Sequence, residues 1–344
     1  PPSPSAVIAA SVPPDTITVT ISLDYRGTAQ LGIANIDFAG FDFSRAVFSS
    51  TQFGTGLISD AVSITGDNFR NFIDVHLLNG ETNFSAAAWT FSNFIPYNPL
   101  QNDQVNIFGS AASDTITGSI MADSMVGQDG DDTLSGLDGR DYLIGGNGID
   151  TLIGGTGDDA YRLEDVHQTS ALPLRFDFDG VVEGVDGGID TVELYHTDFW
   201  DQYVLPDNVE NGIVFGPGTF TLSGNELANL LTGNDDANTL KGQEGADTLR
   251  GLGGADTLQG GGGDDSMDGG SGVDTASYAN ARSAISASLA TGEAQGASSG
   301  ADTLLGIENL FGSAFGDTLR GDDGQNVING AAGADVLAGA AGND

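Results

Sequence analysis

The sequence predicts an all-β protein, built of parallel β-roll (β-solenoid) blocks of nonapeptides and preceded by a β-rich N-terminal region. Glycine recurs every nine residues in three blocks, and each nonapeptide carries Asp or Asn at its sixth position. In the first two blocks the eighth position is almost always apolar. Repeats of this kind indicate a solenoid, and no helical 3.6-residue pattern of useful length competes with it. The glycines that open the units are Gly109, Gly118, Gly127, Gly136, Gly145, Gly154, then Gly224, Gly233, Gly242, Gly251, Gly260, Gly269, and finally Gly312, Gly321, Gly330 and Gly339.

The N-terminal region, residues 1–105, is rich in β-formers but lacks the nonapeptide. Residues 16–23 alternate between apolar and polar with period two, as a half-buried strand does. The region is expected to be an irregular solenoid or a small sandwich, and we favour the solenoid. Further strand candidates lie at residues 33–38, 61–64, 73–78 and 89–94.

Three rolls and two intervening segments are predicted after this region. The lead-in at residues 188–192 resembles the one at residues 301–304, so both segments are expected to continue or cap the rolls as strands. The chain lacks an initiating Met and stops within a repeat, so we expect it to be a piece of a longer or processed polypeptide. The predicted boundaries are 106–162 for the first roll, 163–223 for a connecting or capping segment, 224–278 for the second roll, 279–311 for a second connecting segment, and 312–344 for a truncated third roll.

The composition narrows the function. The net charge of -39 disfavours nucleic acids and anionic membrane surfaces, which attract basic proteins. The chain has no cysteine, which excludes disulfides and thiolate metal sites, and it has no apolar run long enough to cross a membrane. Because the acids recur at a fixed interval, we interpret them as cation ligands rather than as a solvating surface.

The sixth-position side chains are predicted to bind Ca²⁺. Glycines let a six-residue loop turn tightly and direct its carbonyls inward. Two nonapeptides should make one turn, so carboxylates eighteen residues apart would face each other within an all-oxygen cage of the kind that Ca²⁺ prefers. The predicted ligands are Asp114, Asp123, Asp132, Asp141, Asp150, Asp159, Asn229, Asn238, Asp247, Asp256, Asp265, Asp274, Asp317, Asn326, Asp335 and Asp344, with the backbone carbonyls of Gly127, Asp129, Gly136, Asp138, Gly145, Asn147, Gly154, Gly242, Glu244, Gly251, Gly260 and Gly269.

Pairing these side chains one turn apart predicts up to about ten calcium sites. Units opening at Gly109, Gly118, Gly224 and Gly233 lack the second and fourth glycines, and three pairs contain an asparagine, so these sites are expected to be weak, hydrated or empty. The glycine pattern is most complete at the pairs Asp132/Asp150, Asp141/Asp159, Asp247/Asp265 and Asp256/Asp274.

The best units, residues 145–153 and 260–268, follow the pattern Gly-Gly-x-Gly-x-Asp-x-U-x, in which U is a large apolar residue. This pattern resembles the RTX (repeats-in-toxin, hemolysin-type) family of bacterial type I secretion substrates. The resemblance implies calcium-coupled folding after export, and a secreted, extracellular or cell-surface location in a Gram-negative bacterium.

No catalytic motif is found, so the chain is predicted not to be an enzyme, although a catalytic domain outside it stays open. The three histidines are widely spaced, and Lys241, the single lysine, is not part of a phosphate-binding loop. Residues 296–300 match GxSxG, but no strand–turn–helix context surrounds them.

Two functional hypotheses remain. The first is a structural or interaction protein: an extracellular rod, an adhesin or a surface-layer component. It would bind calcium and would self-associate or contact a cell surface or extracellular matrix. The alternative is the C-terminal secretion and folding module of a larger hydrolase or polysaccharide-modifying enzyme.

Overall fold

The computed structural model confirms the all-β prediction, since its described residues form sheets of mostly parallel strands and contain no helix. The chain divides into two compact units, Pro1–Gly188 and Ile189–Asp344. The structure describes residues 6–7, 16–18, 33–37, 43–49, 58–65, 70–78, 82–94, 103–164, 179–185, 187–195 and 202–342.

The strands are short, since the loop of each nonapeptide interrupts the chain. In the first unit they are β1 (Ala6–Val7), β2 (Thr16–Thr18), β3 (Ile33–Asp37), β4 (Phe43–Ser49), β5 (Ile58–Thr65), β6 (Arg70–His76), β7 (Asn83–Ser85), β8 (Thr90–Ser92), β9 (Gln104–Phe108), β10 (Thr115–Thr117), β11 (Asp123–Asp129), β12 (Thr133–Asp138), β13 (Tyr142–Asn147), β14 (Thr151–Thr156), β15 (Ala160–Glu164) and β16 (Gly180–Val182).

The second unit continues with strands of similar length. They are β17 (Thr191–Tyr195), β18 (Gln202–Val204), β19 (Asn211–Phe215), β20 (Phe220–Ser223), β21 (Leu230–Thr232), β22 (Asn238–Glu244), β23 (Thr248–Arg250), β24 (Gly253–Gly254), β25 (Thr257–Gly262), β26 (Ser266–Asp268), β27 (Ser271–Gly272), β28 (Thr275–Ser277), β29 (Ile285–Ser288), β30 (Glu293–Gly296), β31 (Gly300–Leu305), β32 (Asn309–Phe311), β33 (Thr318–Arg320), β34 (Ile328–Asn329) and β35 (Val336–Ala338).

Strands two nonapeptides apart pair in parallel, so eighteen residues make one turn of the roll. Thr115 pairs with Thr133 in one sheet, and Ser124 pairs with Tyr142 in the other. The same register holds in the second unit, where Thr248 pairs with Ser266. Each turn therefore adds one strand to each of two facing sheets.

The core is a ladder of eighth-position side chains between the sheets. Alternate residues of a strand point to opposite faces, so the eighth-position residue points inward while the residues on either side of it point outward. Leu134, Leu143, Leu249 and Leu258 are fully buried in this way. A core of one such side chain per nonapeptide is thin, and the loops must contribute to stability as well.

The N-terminal strands also pair in parallel. Strands β2, β4, β6 and β9 lie side by side, and β9 pairs with β11 of the first roll. Their coils are longer than eighteen residues, since Ile73 pairs with Val105. Of the predicted strand at residues 16–23, only residues 16–18 lie among the described residues.

The second connecting segment is a β-hairpin inserted into the stack. Strands β29, β30 and β31 are antiparallel neighbours, and β31 returns to pair in parallel with β26. Strand β32 then pairs in parallel with β28. Both sheets therefore continue above the second block, although the eighteen-residue count is broken.

Candidate metal centre

The loops of the later units in each block share one backbone conformation. Their second residue has positive φ, as at Gly146 (102°), and in the units up to the one opening at Gly330 the fourth residue does too, as at Gly148 (151°). We call a nonapeptide with a positive φ at its second position an open unit. Here and below, a unit is one nonapeptide and not one of the two compact units of the chain. Their second residues are Gln128, Leu137, Gly146, Gly155, Gln243, Leu252, Gly261, Gly270, Ala331 and Ala340.

Glycine is needed at the fourth position because successive loops nearly touch. A Cβ on Gly148 would collide with the carbonyl oxygen of Gly130 one turn earlier, and a Cβ on Gly146 would collide with that of Gln128. The carbonyls of positions two and four therefore face the next loop. Sequence reasoning predicted only the carbonyls of positions one and three and missed these.

In nine of the predicted pairs, one carboxylate oxygen of the later aspartate holds successive loops together. Asp150 Oδ1 accepts a hydrogen bond of 2.7 Å from the backbone N–H of Asp132, one turn earlier. Asp274 Oδ1 accepts one of 2.7 Å from Asp256 N–H. Among the described residues, the same bond joins Asp114 to Asp132, Asp123 to Asp141, Asp141 to Asp159, Asn229 to Asp247, Asn238 to Asp256, Asp247 to Asp265, and Asp317 to Asp335.

In six of the open units, the second carboxylate oxygen of the sixth-position aspartate is left over. The Oδ2 atoms of these aspartates are buried and have no hydrogen-bond partner among the described residues, and each of these side chains is at most 2% exposed. A buried anionic oxygen without a partner is costly, and native proteins rarely contain one. The residues concerned are Asp132, Asp141, Asp247, Asp256, Asp265 and Asp274.

Five of these oxygens, those of Asp132, Asp141, Asp247, Asp256 and Asp274, lie beside a carbonyl of the next turn. A Cβ on Gly251 would lie 2.6 Å from the carbonyl oxygen of Gly269 and would also collide with Asp256 Oδ2. The same arrangement surrounds Gly136, where the neighbours are Asp141 Oδ2 and the Gly154 carbonyl. A carboxylate oxygen and a carbonyl oxygen thus meet in the gap, and such ligands fit a hard cation such as Ca²⁺.

The carboxyl pKa values reflect this crowding. Burial, with the charge of Asp265 one turn away as a further cause, raises the pKa of Asp247 to about 7. Burial and the charge of Asp274 raise the pKa of Asp256 to about 6. Burial, with Asp150 as a further cause, raises the pKa of Asp132 to about 7. Without a cation, these gaps favour protonated carboxyls.

The first two units of each block satisfy the same oxygen internally. Their second residue is Ser, Asn or Asp, and its backbone N–H donates to the sixth-position side chain of the same unit. Ser110 N–H lies 2.6 Å from Asp114 Oδ2, and Asn225 N–H lies 2.8 Å from Asn229 Oδ1. We call these self-capped units; the remaining four bonds join Ser119 to Asp123, Asn234 to Asn238, Ser313 to Asp317, and Asp322 to Asn326.

A side-chain turn holds each self-capped loop in place. The side-chain oxygen of the second residue accepts the N–H two residues later, as Ser110 Oγ does from Ala112 at 3.2 Å. This is the local turn that Ser, Asn and Asp favour. It keeps the second residue out of the positive-φ region that an open unit uses.

In the second block, asparagine side-chain amides take the place of a cation beside the inward-facing carbonyls. Asn234 Nδ2 donates to the carbonyls of Gly216 and Gly218, at 2.9 Å and 3.0 Å, one turn earlier. Asn229 Nδ2 likewise donates to the carbonyls of Val209 and Glu210. The inward carbonyls of these turns therefore have a neutral donor.

The predicted pairs accordingly fall into two groups. The lower members Asp132, Asp141, Asp247 and Asp256 have an open oxygen, and these belong to the four pairs with the most complete glycine pattern. In the other six pairs the lower member is self-capped. Asp344 lies outside the described residues. Sequence reasoning also missed Asp179, whose Oδ1 accepts the Asp150 N–H at 3.0 Å.

Comparison with known proteins identifies the repeat by its sequence. The family model for the RTX calcium-binding nonapeptide repeat, in four copies, matches residues 108–143, 117–152, 126–161, 223–258, 242–276 and 311–344. A search of curated proteins found no match. Within the described part of the chain, no helix is long and apolar enough to cross a membrane.

Proposed function

This chain is an RTX calcium-binding repeat protein, and from that premise we propose that it is a secreted structural or interaction protein of a Gram-negative bacterium. In this role it is an extracellular rod, an adhesin or a surface-layer component that folds with Ca²⁺ after type I export. Self-association or a cell-surface partner would complete the role.

The observation that carries the proposal is the buried Oδ2 atom in each of four loops, which has no hydrogen-bond partner among the described residues. Each of these four atoms lies beside a backbone carbonyl of the next turn. The residues that would hold the ions are Asp132, Asp141, Asp247 and Asp256, each with the loop one turn later. Such sites offer the hard ligands that suit Ca²⁺ rather than a soft transition metal.

Electrostatics supports coupling of the ions to folding. Two unit charges at about 4 Å interact by roughly 4 kcal/mol at an effective dielectric of 20. Repulsion of that size, repeated along a stack with a net chain charge of -39, opposes folding. A divalent cation that binds the folded loops alone offsets it, so folding and calcium binding are linked.

A catalytic role for the repeats is not part of the proposal. Ser298 of the GxSxG string lies in the turn between β30 and β31, where its Oγ contacts Ser283 Oγ at 3.0 Å. That strand–turn–strand context differs from the strand–turn–helix of a nucleophile elbow. The alternative, a folding module of a larger secreted enzyme, would use the same calcium sites.

The test is circular dichroism together with metal counting on the purified chain. Ca²⁺, but not Mg²⁺, should convert a largely unfolded spectrum into a β-sheet spectrum, and a chelator should reverse the change. Equal spectra with and without Ca²⁺, or no bound calcium after gel filtration, would refute the proposal.

A further inference from the structure

The second connecting segment supplies upper turns for two loops that no nonapeptide covers. Strand β31 lies on β26 with Leu304 opposite Met267, and β32 lies on β28 with Leu310 opposite Ala276. These registers bring Asp302 above Asp265 and Glu308 above Asp274. The two acids are 37 and 34 residues from their partners rather than eighteen.

Both acids make the bond that joins successive nonapeptides. Asp302 Oδ1 accepts the Asp265 N–H at 3.1 Å, and Glu308 Oε2 accepts the Asp274 N–H at 2.8 Å. The equivalent bond between Asp132 and Asp150 is 2.7 Å long. The segment therefore holds the loops below it in the same way as a repeat does.

The loops below carry open oxygens. Asp265 and Asp274 are 2% and 0% exposed, and their Oδ2 atoms have no hydrogen-bond partner among the described residues. Both side chains are thus more than nine-tenths buried and present an anionic oxygen to the gap.

Backbone carbonyls line these gaps as well. The Gly306 carbonyl oxygen would collide with a Cβ on Gly269, so it occupies the place that the Gly269 carbonyl occupies above Gly251. Gly306 has a φ of 58°, and its own Cβ would lie 3.1 Å from the Gly270 carbonyl oxygen. In the neighbouring gap, the Gly263 carbonyl faces Gly300.

We infer that the connecting segment closes two further divalent-cation sites, one on Asp265 under Asp302 and one on Asp274 under Glu308. The inference rests on the proposed function, because it assigns calcium to gaps of the same chemistry. A three-residue turn, Gly306–Glu308, thereby performs the role of a six-residue repeat loop.

The first stack ends at Asp302 without another ion. Tyr278 O–H donates to Asp302 Oδ2 at 3.0 Å, and both side chains are buried. The phenol occupies the oxygen that would otherwise face a further gap. Tyr278 is thus a neutral end-cap of the stack.

The experiment counts calcium bound to the full-length chain at saturating Ca²⁺ by native mass spectrometry. Asp274→Asn removes the open oxygen's charge and should lose one ion relative to the unmodified chain. Asp256→Asn, in a gap between two nonapeptides, should also lose one ion and tests the proposed function. Asp317→Asn, in a self-capped unit, is the matched control and should lose none.

The outcomes separate the two claims. If Asp256→Asn loses an ion and Asp274→Asn does not, the inference is overturned while the proposed function stands. If neither variant loses an ion, the proposed function fails as well.

A second variant decides the matter if Asp274→Asn does not fold. Glu308→Gln keeps an oxygen acceptor for the Asp274 N–H but removes the charge. It should lower the affinity for one calcium ion by about tenfold, which is about 1.4 kcal/mol. Glu293→Gln, at an exposed position of the hairpin, is the charge-matched control and should leave every affinity unchanged. Equal affinities in Glu308→Gln and Glu293→Gln would overturn the Glu308 site.

Discussion

The first two units of every block and the units that follow them share a nine-residue period but satisfy a buried carboxylate differently. In the self-capped unit at Gly109, the Ser110 N–H bonds Asp114 Oδ2. In the open unit at Gly251, Leu252 has a φ of 75° and Asp256 Oδ2 has no hydrogen-bond partner among the described residues. The second residue therefore determines whether a loop satisfies its own sixth-position oxygen or requires a cation to do so.

This comparison assigns different roles to the two kinds of unit. Self-capped units lie at the start of each block, where they present a finished loop and a strand edge without a cation. Open units stack on them and carry the uncompensated charge. We therefore expect calcium to control the later turns of a block more strongly than the first two.

Chelation should produce the largest effect, and it tests directly whether open units depend on calcium more than self-capped units do. Hydrogen exchange of the full chain in a chelator should show lost protection in strands β25 and β26, which follow open loops. Strands β21 and β10, which follow self-capped loops, should keep more of their protection. Uniform loss across all four strands would show that the two kinds of unit fold as one.

Acidification should partly substitute for calcium in the chelated chain. The folded pKa values of Asp132 and Asp247, about 7, and of Asp256 and Asp265, about 6, lie above the ordinary aspartate pKa of 3.8. A raised folded pKa contributes stability that is complete below the unfolded pKa and is lost as pH rises through the folded pKa. β-sheet dichroism of the chelated chain should therefore increase as pH falls from about 7.5 to about 5.

Calcium titrations supply the control for the pH effect. Protons and Ca²⁺ compete for the same oxygens, so calcium affinity should fall over the pH range in which the metal-free fold gains structure. An affinity independent of pH would contradict the assignment of these carboxylates to the gaps.

Alanine substitutions at one open and one self-capped unit should separate affinity from stability. Asp256→Ala should lower the affinity for one calcium ion by about tenfold or more, since it removes a charged ligand. Asp114→Ala should leave calcium affinity unchanged but cost about 1–3 kcal/mol of folding stability, because it strands the buried Ser110 N–H. Calorimetric titration and thermal unfolding measure the two effects, and the opposite ranking of affinities would contradict the comparison.

Converting a self-capped unit into an open unit should have the smallest effect. It tests whether the second and fourth residues alone distinguish the two kinds of unit. Ser110→Gly with Ala112→Gly produces the loop Gly-Gly-Ala-Gly-Ser-Asp at residues 109–114, with Asp114 unchanged. The chain should gain one bound calcium ion, since the Asp114 oxygen loses its cap and the second residue can adopt positive φ. The single variant Ser113→Ala, at an exposed loop position, serves as the control and should leave the count unchanged.

Most of the fold followed from the period of the glycines. The eighteen-residue register of Thr115 with Thr133, and the burial of eighth-position residues such as Leu134, were both implied by a two-sheet roll of nonapeptides. The strand paths of residues 279–311 did not follow from it, because the inserted hairpin interrupts the count. Its return over Met267 depends on pairing at long range.

The sequence by itself determined which acids stack, since a strict nine-residue spacing places every second unit in the same column. The glycine pattern also separated the four open pairs from the other six, but the hydrogen bonds that cap those six and the residues that close the stack came from the folded structure. An N–H of Ser110 reaches Asp114 because of its local backbone angles, whereas Glu308 reaches Asp274 because two distant strands pair. Hydrogen-bond direction and long-range register are properties of folded geometry, and spacing along the chain does not specify them.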